Sequence, residues 1–391
     1  MKVIVVADDL IFPNNSGGRA EVLGNTEALR SAGHEVAIIM MQREDISVPD
    51  LEKNLTYSKD VQIFKRHSFF KSSLTFPWMP YQLSSRIWAE LDASRYKDFD
   101  LVIAHHEYAI PTAEKISSAL NIPLILRSHN DEIKYLKSLY RGNTNYIKKL
   151  YFLAELVRAK VCFTEKFYKN VSYVATISDS DQKFYRERGI KVRTAAPSLA
   201  INALKDNMRV SRNGKKLVFA GTLDVAITRE GLRWFVDNVL PKLTAYDPEI
   251  TLTIMGRRAP QEFIGLIQQN ENVSFLGEVD SIDDHLLTST VFINPIFGGS
   301  GVNMKMGPPA SLGLPIVSTS IGARGLDGLS AGITVADSAD DFYKSIILLL
   351  EDTMFWKQQS DNLLQGINNY KPSVIAQQTL GNFNNEKNIG F

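Results

Sequence analysis

VFINPIFGGSGVNMKMGPPASLGLPIVST, residues 291–319, holds an apolar run, a glycine-rich turn, a short helical stretch and a second apolar run. A strand followed by such a turn and a helix points bare backbone N–H groups and the positive end of a helix at one place. That place attracts phosphate. The same glycines also suit a plain tight turn, so taken alone the segment indicates a parallel α/β unit with a candidate anion site at a strand end.

The pattern extends outward in both directions. Apolar strands alternate with amphipathic helical stretches, the signature of parallel sheets built from βαβ units. In the first half the strands read 2–7, 35–40, 101–106, 123–128 and 173–178, with helices at 19–32 and 110–119 and two long ones at 131–140 and 144–171. Residues 44–98 are aromatic-rich and irregular, an excursion with short helices. In the second half, strands at 216–221, 249–256, 273–277, 291–296, 315–319 and 332–336 alternate with helices at 229–243, 260–268, 281–287, 309–312 and 338–351. A helical pair follows at 353–369, and a polar, Asn-rich tail at 380–391. At 391 residues the chain exceeds one ordinary core, and two domains of about 150–200 residues follow. The expected division is an N-terminal domain over 1–197, a polar linker over 198–215, a second domain over 216–365, and a C-terminal helix and tail over 366–391 that returns to the first. Both domains are expected to be doubly wound, with ligands at the carboxyl ends of their strands.

Composition is that of a globular protein: 44% hydrophobic and 22% charged. The opening MKVIVV runs directly into Asp8 and Asp9, so it reads as a buried strand rather than a signal peptide. No stretch approaches the roughly 20 apolar residues of a membrane span. The one cysteine, Cys162, excludes an intramolecular disulfide and a Cys-only metal site, and reads as a packed thiol. A cytoplasmic location is expected. The net charge of +1 hides an asymmetry: residues 1–200 carry 28 Lys and Arg against 23 Asp and Glu, the rest 16 against 20. Residues 127–170 hold ten basic and four acidic residues. They form either a solvated helix face or a surface that meets anionic lipid or an anionic acceptor. No nucleic-acid partner is expected.

Several motifs resemble, in the same order, those of the retaining family-4 glycosyltransferases of the GT-B fold. VADDLIFPNNSGGRAEVLGNTEALRSAGHEVAII matches the opening strand, Gly-Gly-Arg loop, helix and second strand. LILRSHNDE (124–132) and TEKFYKNVSYVATISDSDQKFY match the middle of the N-terminal domain. FAGTLDVAITREGLRWFVDNVLPKL, FLGEVDSIDDHLLTSTVFINPIFGGSGVNMKM and STSIGARGL match the donor domain. The resemblance implies two doubly wound, Rossmann-like domains facing a central cleft, with an acceptor-binding N-terminal domain and a nucleotide-sugar donor domain. It implies hexosyl transfer from a nucleotide diphosphate sugar to a hydroxyl with retention, in polysaccharide or glycoconjugate assembly. A UDP- or GDP-sugar is the co-substrate implied, with no further cofactor and no metal; Asp8-Asp9 and Asp283-Asp284 read as solvated turns. The acceptor is a saccharide or a lipid-linked saccharide, and the basic stretch 127–170 suits peripheral contact with the inner face of a membrane.

By the same resemblance, Gly299, Ser300, Gly301, Val302, Asn303 and Lys305 clamp the diphosphate, where donors oppose the charge that develops on the leaving group. Gly221 and Thr222 bring backbone to the phosphates from a second strand end. Arg229 either joins them or lies on a helix surface. Gly256, Arg257 and Leu276 fall where base and ribose belong, although solvated arginines would read the same. His129 and Glu132 are the catalytic candidates. His129 would bond the donor sugar from the end of a buried strand. Glu132 would place the acceptor, orient His129, or start a helix. Gly17, Gly18 and Arg19 form a loop either over diphosphate and acceptor or simply turning strand into helix. One departure stands out: where the family carries two glutamates eight residues apart, this chain has Ser300 and Pro308. Pro308 and Pro309 also disfavour a helical Gly307, so a helix is expected from Pro309. The missing carboxylates keep open a non-catalytic GT-B partner or sugar-binding subunit; similarly folded sugar epimerases are a third class.

Overall fold

The computed structural model describes residues 1–14, 16–42, 47–88, 91–143, 145–199, 208–212, 214–299 and 301–381. The chain forms two compact units, Met1–Ser198 with the segment from Pro372 onward, and Leu199–Lys371.

The first unit carries seven parallel strands: β1 (Lys2–Ala7), β2 (Glu35–Gln42), β3 (Val61–Lys65), β4 (Leu101–His105), β5 (Leu124–Ser128), β6 (Tyr173–Thr176) and β7 (Val192–Thr194). Their order across the sheet is β3-β2-β1-β4-β5-β6-β7. The chain starts in the middle, winds outward one way and then returns to wind the other way. Because helices cover both faces, the strands are apolar at consecutive positions rather than alternately. Ile4, Val6, Ile39, Val102 and Leu126 pack into one core, and Val3, Val5, Ile38, Ile103 and Ile125 into the other.

Register fixes the site. Ala7 lies opposite His105, and His105 opposite Arg127, so Asp8, His106 and Ser128–Asn130 emerge side by side at the carboxyl edge. The helix Gly17–Ser31 follows β1, its Ser16 N-cap accepting from the Arg19 N–H. Gly17, Gly18 and Arg19 are therefore the first helical turn and not a loop, which leaves their orphan N–H groups at the strand edge. Behind them Arg127, fully buried, donates to Glu21 Oε1 from Nε (2.9 Å) and Nη2 (2.7 Å) and to the carbonyls of Ala195 and Ala196. Removing one partner of such a pair strands a buried charge, at a cost of about 3–5 kcal/mol. It is a structural anchor. The C-terminal helix Pro372–Leu380 belongs to this unit; the Tyr173 hydroxyl donates to the Thr379 carbonyl.

Several local expectations change. The long helix expected over 144–171 ends at Cys162, because Phe163 turns into the core and the chain continues as a 3-10 turn, Glu165–Tyr168. The excursion over 44–98 contains the edge strand β3, and β7 closes the opposite edge. Asp8 and Asp9 are not solvated: Asp8 pairs with Arg86 and Asp9 with Arg19.

The second unit repeats the winding with six parallel strands, β8 (Lys216–Ala220), β9 (Thr251–Met255), β10 (Val273–Gly277), β11 (Val291–Asn294), β12 (Ile316–Ser318) and β13 (Ile333–Val335), in the order β10-β9-β8-β11-β12-β13. The expected helix over 229–243 is two, Ala226–Asn238 and Leu240–Tyr246, since Pro241 cannot continue the ladder. The first of them passes so close to β11 that a Cβ on Gly231 would lie 1.7 Å from the Pro295 carbonyl oxygen. Gly307 is helical and begins the helix Gly307–Ser311, contrary to expectation. Both prolines lie in its first turn, where no intrahelical N–H is required.

Candidate active site

In the second unit the carboxyl edge is built from main chain. Gly221 follows β8, Gly256 follows β9, and Gly277 ends β10. The Gly221 N–H donates to the Met255 carbonyl (3.1 Å) and the Gly256 N–H to the Gly277 carbonyl (2.8 Å). A Cβ on Gly256 would fall 2.1 Å from the Gly221 oxygen, so only glycine permits this approach. Thr222 and Arg257 are half-buried beside them, and Leu276 is exposed on β10. After β11 the chain turns through Gly299, whose φ of 110° lies in the left-handed region, into Gly301, Val302 and Asn303. Ser300 lies outside the described residues.

Lys305 enters this edge from a 3-10 turn, Met304–Met306. Its ammonium stands 5.1 Å from the centre of the Phe219 ring, and its Cδ lies 3.5 Å from where a Gly221 Cβ would be. The side chain is half-buried, and desolvation lowers its pKa to about 8. Among the described residues no carboxylate lies within ion-pair distance of it. A cation in that setting is stabilised by an incoming anion. Two other candidates are tied to main chain: Arg229 donates to the Leu223 carbonyl (2.8 Å) and the Asn303 amide to the Gly322 carbonyl (2.9 Å). The first bond braces the loop after β8 and the second the turn after β11.

The first unit's edge is built instead from side chains. His129 follows β5 and is buried; its Nε2 lies 3.1 Å from His105 Nδ1, and His105 Nε2 lies 3.2 Å from Asn25 Oδ1. Its Nδ1 is the atom nearest to where a Gly18 Cβ would stand, at 3.9 Å. Burial, then the charge of His106, depress the His129 pKa to about 3, and burial and His129 depress that of His105 as well.

His106 was not singled out by its sequence. It holds φ 73° and ψ 152°, a conformation rare for any side-chain-bearing residue, which turns its ring away from His105. The ring stacks on Tyr108 at 4.4 Å, with Nε2 3.3 Å from Glu132 Oε2 and Nδ1 3.6 Å from Glu107 Oε2. Burial opposes its charge, but the hydrogen bond and charge of Glu132, then Asp8 and Glu107, raise its pKa to about 9. Glu132 also accepts from the Tyr108 hydroxyl, so its partners are His106 and Tyr108, not His129. Glu107, raised by burial, accepts from the hydroxyls of Tyr185 and Ser128. Asp8 is lowered: burial opposes its ionisation, and Arg86, then His106, outweigh it. Two histidines at neighbouring strand ends are thus held in opposite states at neutral pH, His106 charged and His129 neutral. The doublet at the end of LVIAHH was visible; which ring turns inward was not.

Arg19 donates to Asp9 Oδ2 (3.0 Å from Nη2) and to the Pro13 carbonyl (3.3 Å). Gly17 and Gly18 therefore share the edge with His129, with Arg19 tied back to the loop after β1.

Two family models match this chain: Glycosyltransferase Family 4 over residues 22–195 and Glycosyl transferases group 1 over 214–352. An uncharacterized 44.6 kDa protein in the cps region of Klebsiella pneumoniae is 27% identical over 368 residues, covering 88% of this chain and 90% of its relative. The phosphatidyl-myo-inositol mannosyltransferase of Mycolicibacterium smegmatis is 22% identical over 389 residues, covering 94% and 90%. Among solved structures, HepE of Anabaena in complex with UDP and glucose shares the fold at a TM-score of 0.63 and 14% identity, covering 97% of this chain and 99% of that one. Two Rossmann-like units and both family matches, one on each, identify the chain as a glycosyltransferase of the GT-B fold, family-4 type.

Proposed function

We propose that this enzyme transfers a hexosyl group from a nucleotide diphosphate sugar, a UDP-sugar before a GDP-sugar, to the hydroxyl of a saccharide or lipid-linked saccharide, with retention, in polysaccharide or glycoconjugate assembly. The observation that carries it is Lys305, a desolvated ammonium with no carboxylate near it among the described residues, beside the bare main chain of Gly221 and two residues after Asn303 in the chain. As the sugar–phosphate bond breaks, negative charge grows on the leaving diphosphate. Lys305 and the main-chain N–H groups meet that charge without reorganising. The leaving phosphate then takes the acceptor's proton on the face it vacates, which gives retention. Relatives support the reading: HepE of Anabaena was solved with UDP and glucose, and the Klebsiella relative is encoded in a cps region. His129 is the sugar-side contact in the first unit. Neither Ser300 nor Pro308 supplies a carboxylate to the ribose, so main chain near Gly256 and Leu276 takes that role.

The acceptor's setting is an anionic membrane surface. Among the described residues no helix is long and apolar enough to cross a membrane. Three of the four acids in 127–170, Asp131, Glu132 and Glu155, are buried, so the outer face is more basic than its composition. Along the helix Tyr146–Cys162, Tyr146, Leu150, Leu153, Val157 and Val161 are exposed at three- and four-residue spacing. Trp78 adjoins this helix, its carbonyl 3.5 Å from Cys162 Sγ, and is exposed too. Lysines beside an exposed apolar stripe suit an interfacial helix.

A thermal-shift series with UDP-, GDP-, ADP- and dTDP-sugars tests the donor. A bound nucleotide sugar stabilises the folded chain by mass action, by about 2.7 kcal/mol at a hundred times its Kd, and so raises the melting temperature. Absence of any shift across the series refutes the reading.

A further inference from the structure

Four polar side chains form a buried line across the first unit: Thr379 on the C-terminal helix, Asn25 on the first helix, His105 at the end of β4 and His129 at the end of β5. All but His129, which is 8% exposed, are fully enclosed. Direction along the line follows from donor and acceptor arithmetic. The Asn25 amide nitrogen donates to Thr379 Oγ1 (2.9 Å), which turns Asn25 Oδ1 toward His105 Nε2 (3.2 Å). An amide oxygen only accepts, so His105 Nε2 carries the hydrogen. With the ring neutral, His105 Nδ1 is then a lone pair, and its neighbour at 3.1 Å, His129 Nε2, must be the donor. One nitrogen remains. His129 Nδ1 has no protein hydrogen-bond partner among the described residues, and it faces Gly18 across space that a Cβ would enter at 3.9 Å.

We propose that Asn25 and His105 are positioning residues that hold His129 as the neutral Nε2–H tautomer, so that its Nδ1 accepts a hydrogen bond from a substrate hydroxyl. This rests on the reading of His129 as the sugar-side contact. It adds the polarity of that contact and the residues that set it. A sugar hydroxyl donates to Nδ1; a carboxylate or phosphate oxygen, which only accepts, is repelled there. The neutral state is reinforced by the neighbours: His106 and Arg127 oppose a second positive charge, while Asp8 alone favours one. The last helix, held on this unit by Ile375, Ala376 and Leu380 in its core, supplies Thr379 to complete the bonding of Asn25.

Long-range proton–nitrogen spectra of the full chain, labelled in its histidines, read the tautomer directly and need no substrate. The expected result at pH 7 is an unprotonated Nδ1 and protonated Nε2 on both His105 and His129. In Asn25→Asp a carboxylate oxygen still accepts from His105, and the pattern persists. In Asn25→Leu the acceptor is gone, and part of the His105 and His129 population moves to the Nδ1–H form. With UDP-glucose as the probe, kcat/KM falls about tenfold in Asn25→Leu, the worth of one hydrogen bond, and recovers in Asn25→Asp. An Nδ1–H or doubly protonated His129 in the unaltered protein overturns the proposal, and no variant is needed to see it. Unchanged tautomers in a folded Asn25→Leu protein overturn the role of Asn25. Correct tautomers with no response to any nucleotide sugar would leave the proton line standing and refute the donor reading instead.

Discussion

The two strand edges are built on opposite principles. In the first unit, side chains crowd the carboxyl ends of β1, β4 and β5, and each charge is answered locally: Asp8 by Arg86, His106 by Glu132 and Glu107, Asp9 by Arg19. In the second unit the edge is glycine and bare main chain, with Lys305 left without a carboxylate partner among the described residues. A closed charge ledger suits recognition of neutral hydroxyls, where one lone pair such as His129 Nδ1 is what distinguishes partners. An open ledger suits an anion, whose arrival completes it. The same doubly wound topology therefore yields one edge whose charges are paired and, among the described residues, one whose cation has no carboxylate partner, according to whether side chains or backbone line it.

Lys305→Ala tests this contrast most severely. Turnover with the responding nucleotide sugar is expected to fall about a hundredfold, the usual cost of losing one donor to a developing anion. Near-normal kinetics would remove Lys305 from the site. The unaltered protein should also take up protons when UDP binds above pH 8, because the anion restores a pKa lowered to about 8. Calorimetry in two buffers of different ionisation heat measures this, and Lys305→Ala should abolish it.

His129→Ala probes the other edge. It is expected to lower kcat about tenfold or more while leaving UDP affinity nearly unchanged, since a hydroxyl contact is lost and no phosphate contact. Equal loss of both would erase the distinction between the two edges. Neutralising Lys148 and Lys149 together should weaken binding to phosphatidylglycerol vesicles about thirtyfold, at about 1 kcal/mol per charge. Co-sedimentation decides it, and unaltered partitioning, or a concentration-dependent dimer in its place, would contradict the membrane reading.

The smallest effect is one of pH. His106, with its pKa raised from 6.5 to about 9, contributes stability that is present below pH 6.5 and lost as pH rises through 9. His129, lowered from 6.5 to about 3, works the other way: below pH 6.5 the unfolded chain binds a proton that the folded ring refuses, so stability falls with pH. Melting temperature against pH should therefore slope down on both sides of neutrality. His106→Gln should flatten the alkaline limb and, by removing a charge that depresses the His129 pKa, soften the acid one; if the alkaline limb is unchanged, the charged state assigned to His106 is wrong.

Much of the fold was legible because apolar strands between amphipathic helices admit few arrangements. The exceptions have physical causes. β3 and β7 are short edge strands with polar residues, so their patterns are weak. The helix after Tyr146 stops at Cys162 with no glycine or proline to announce it, because Phe163 gains more by entering the core. Within the site, His129 was legible from its strand end, whereas His106 was not. A pair of adjacent histidines states nothing about which ring the backbone turns inward. In the sequence Glu132 reads as placing the acceptor, orienting His129 or starting a helix; it does start the helix Glu132–Gly142, but its bond to His106 was not legible, since that residue is 26 positions away in sequence and adjacent only across the sheet edge. The basic stretch was read from composition, but its force depends on three acids being buried.

By itself, then, the sequence determined the two parallel-sheet units, the glycine turn before Lys305 and the strand ends where chemistry would gather, because periodicity and turn chemistry are local properties of a chain. Only the tertiary structure decided the charge states of His106 and His129, the isolation of Lys305 and the partner of Glu132. Those depend on desolvation and on distances across strands remote in sequence, and they exist only once the sheet has set Asp8, His106 and His129 side by side.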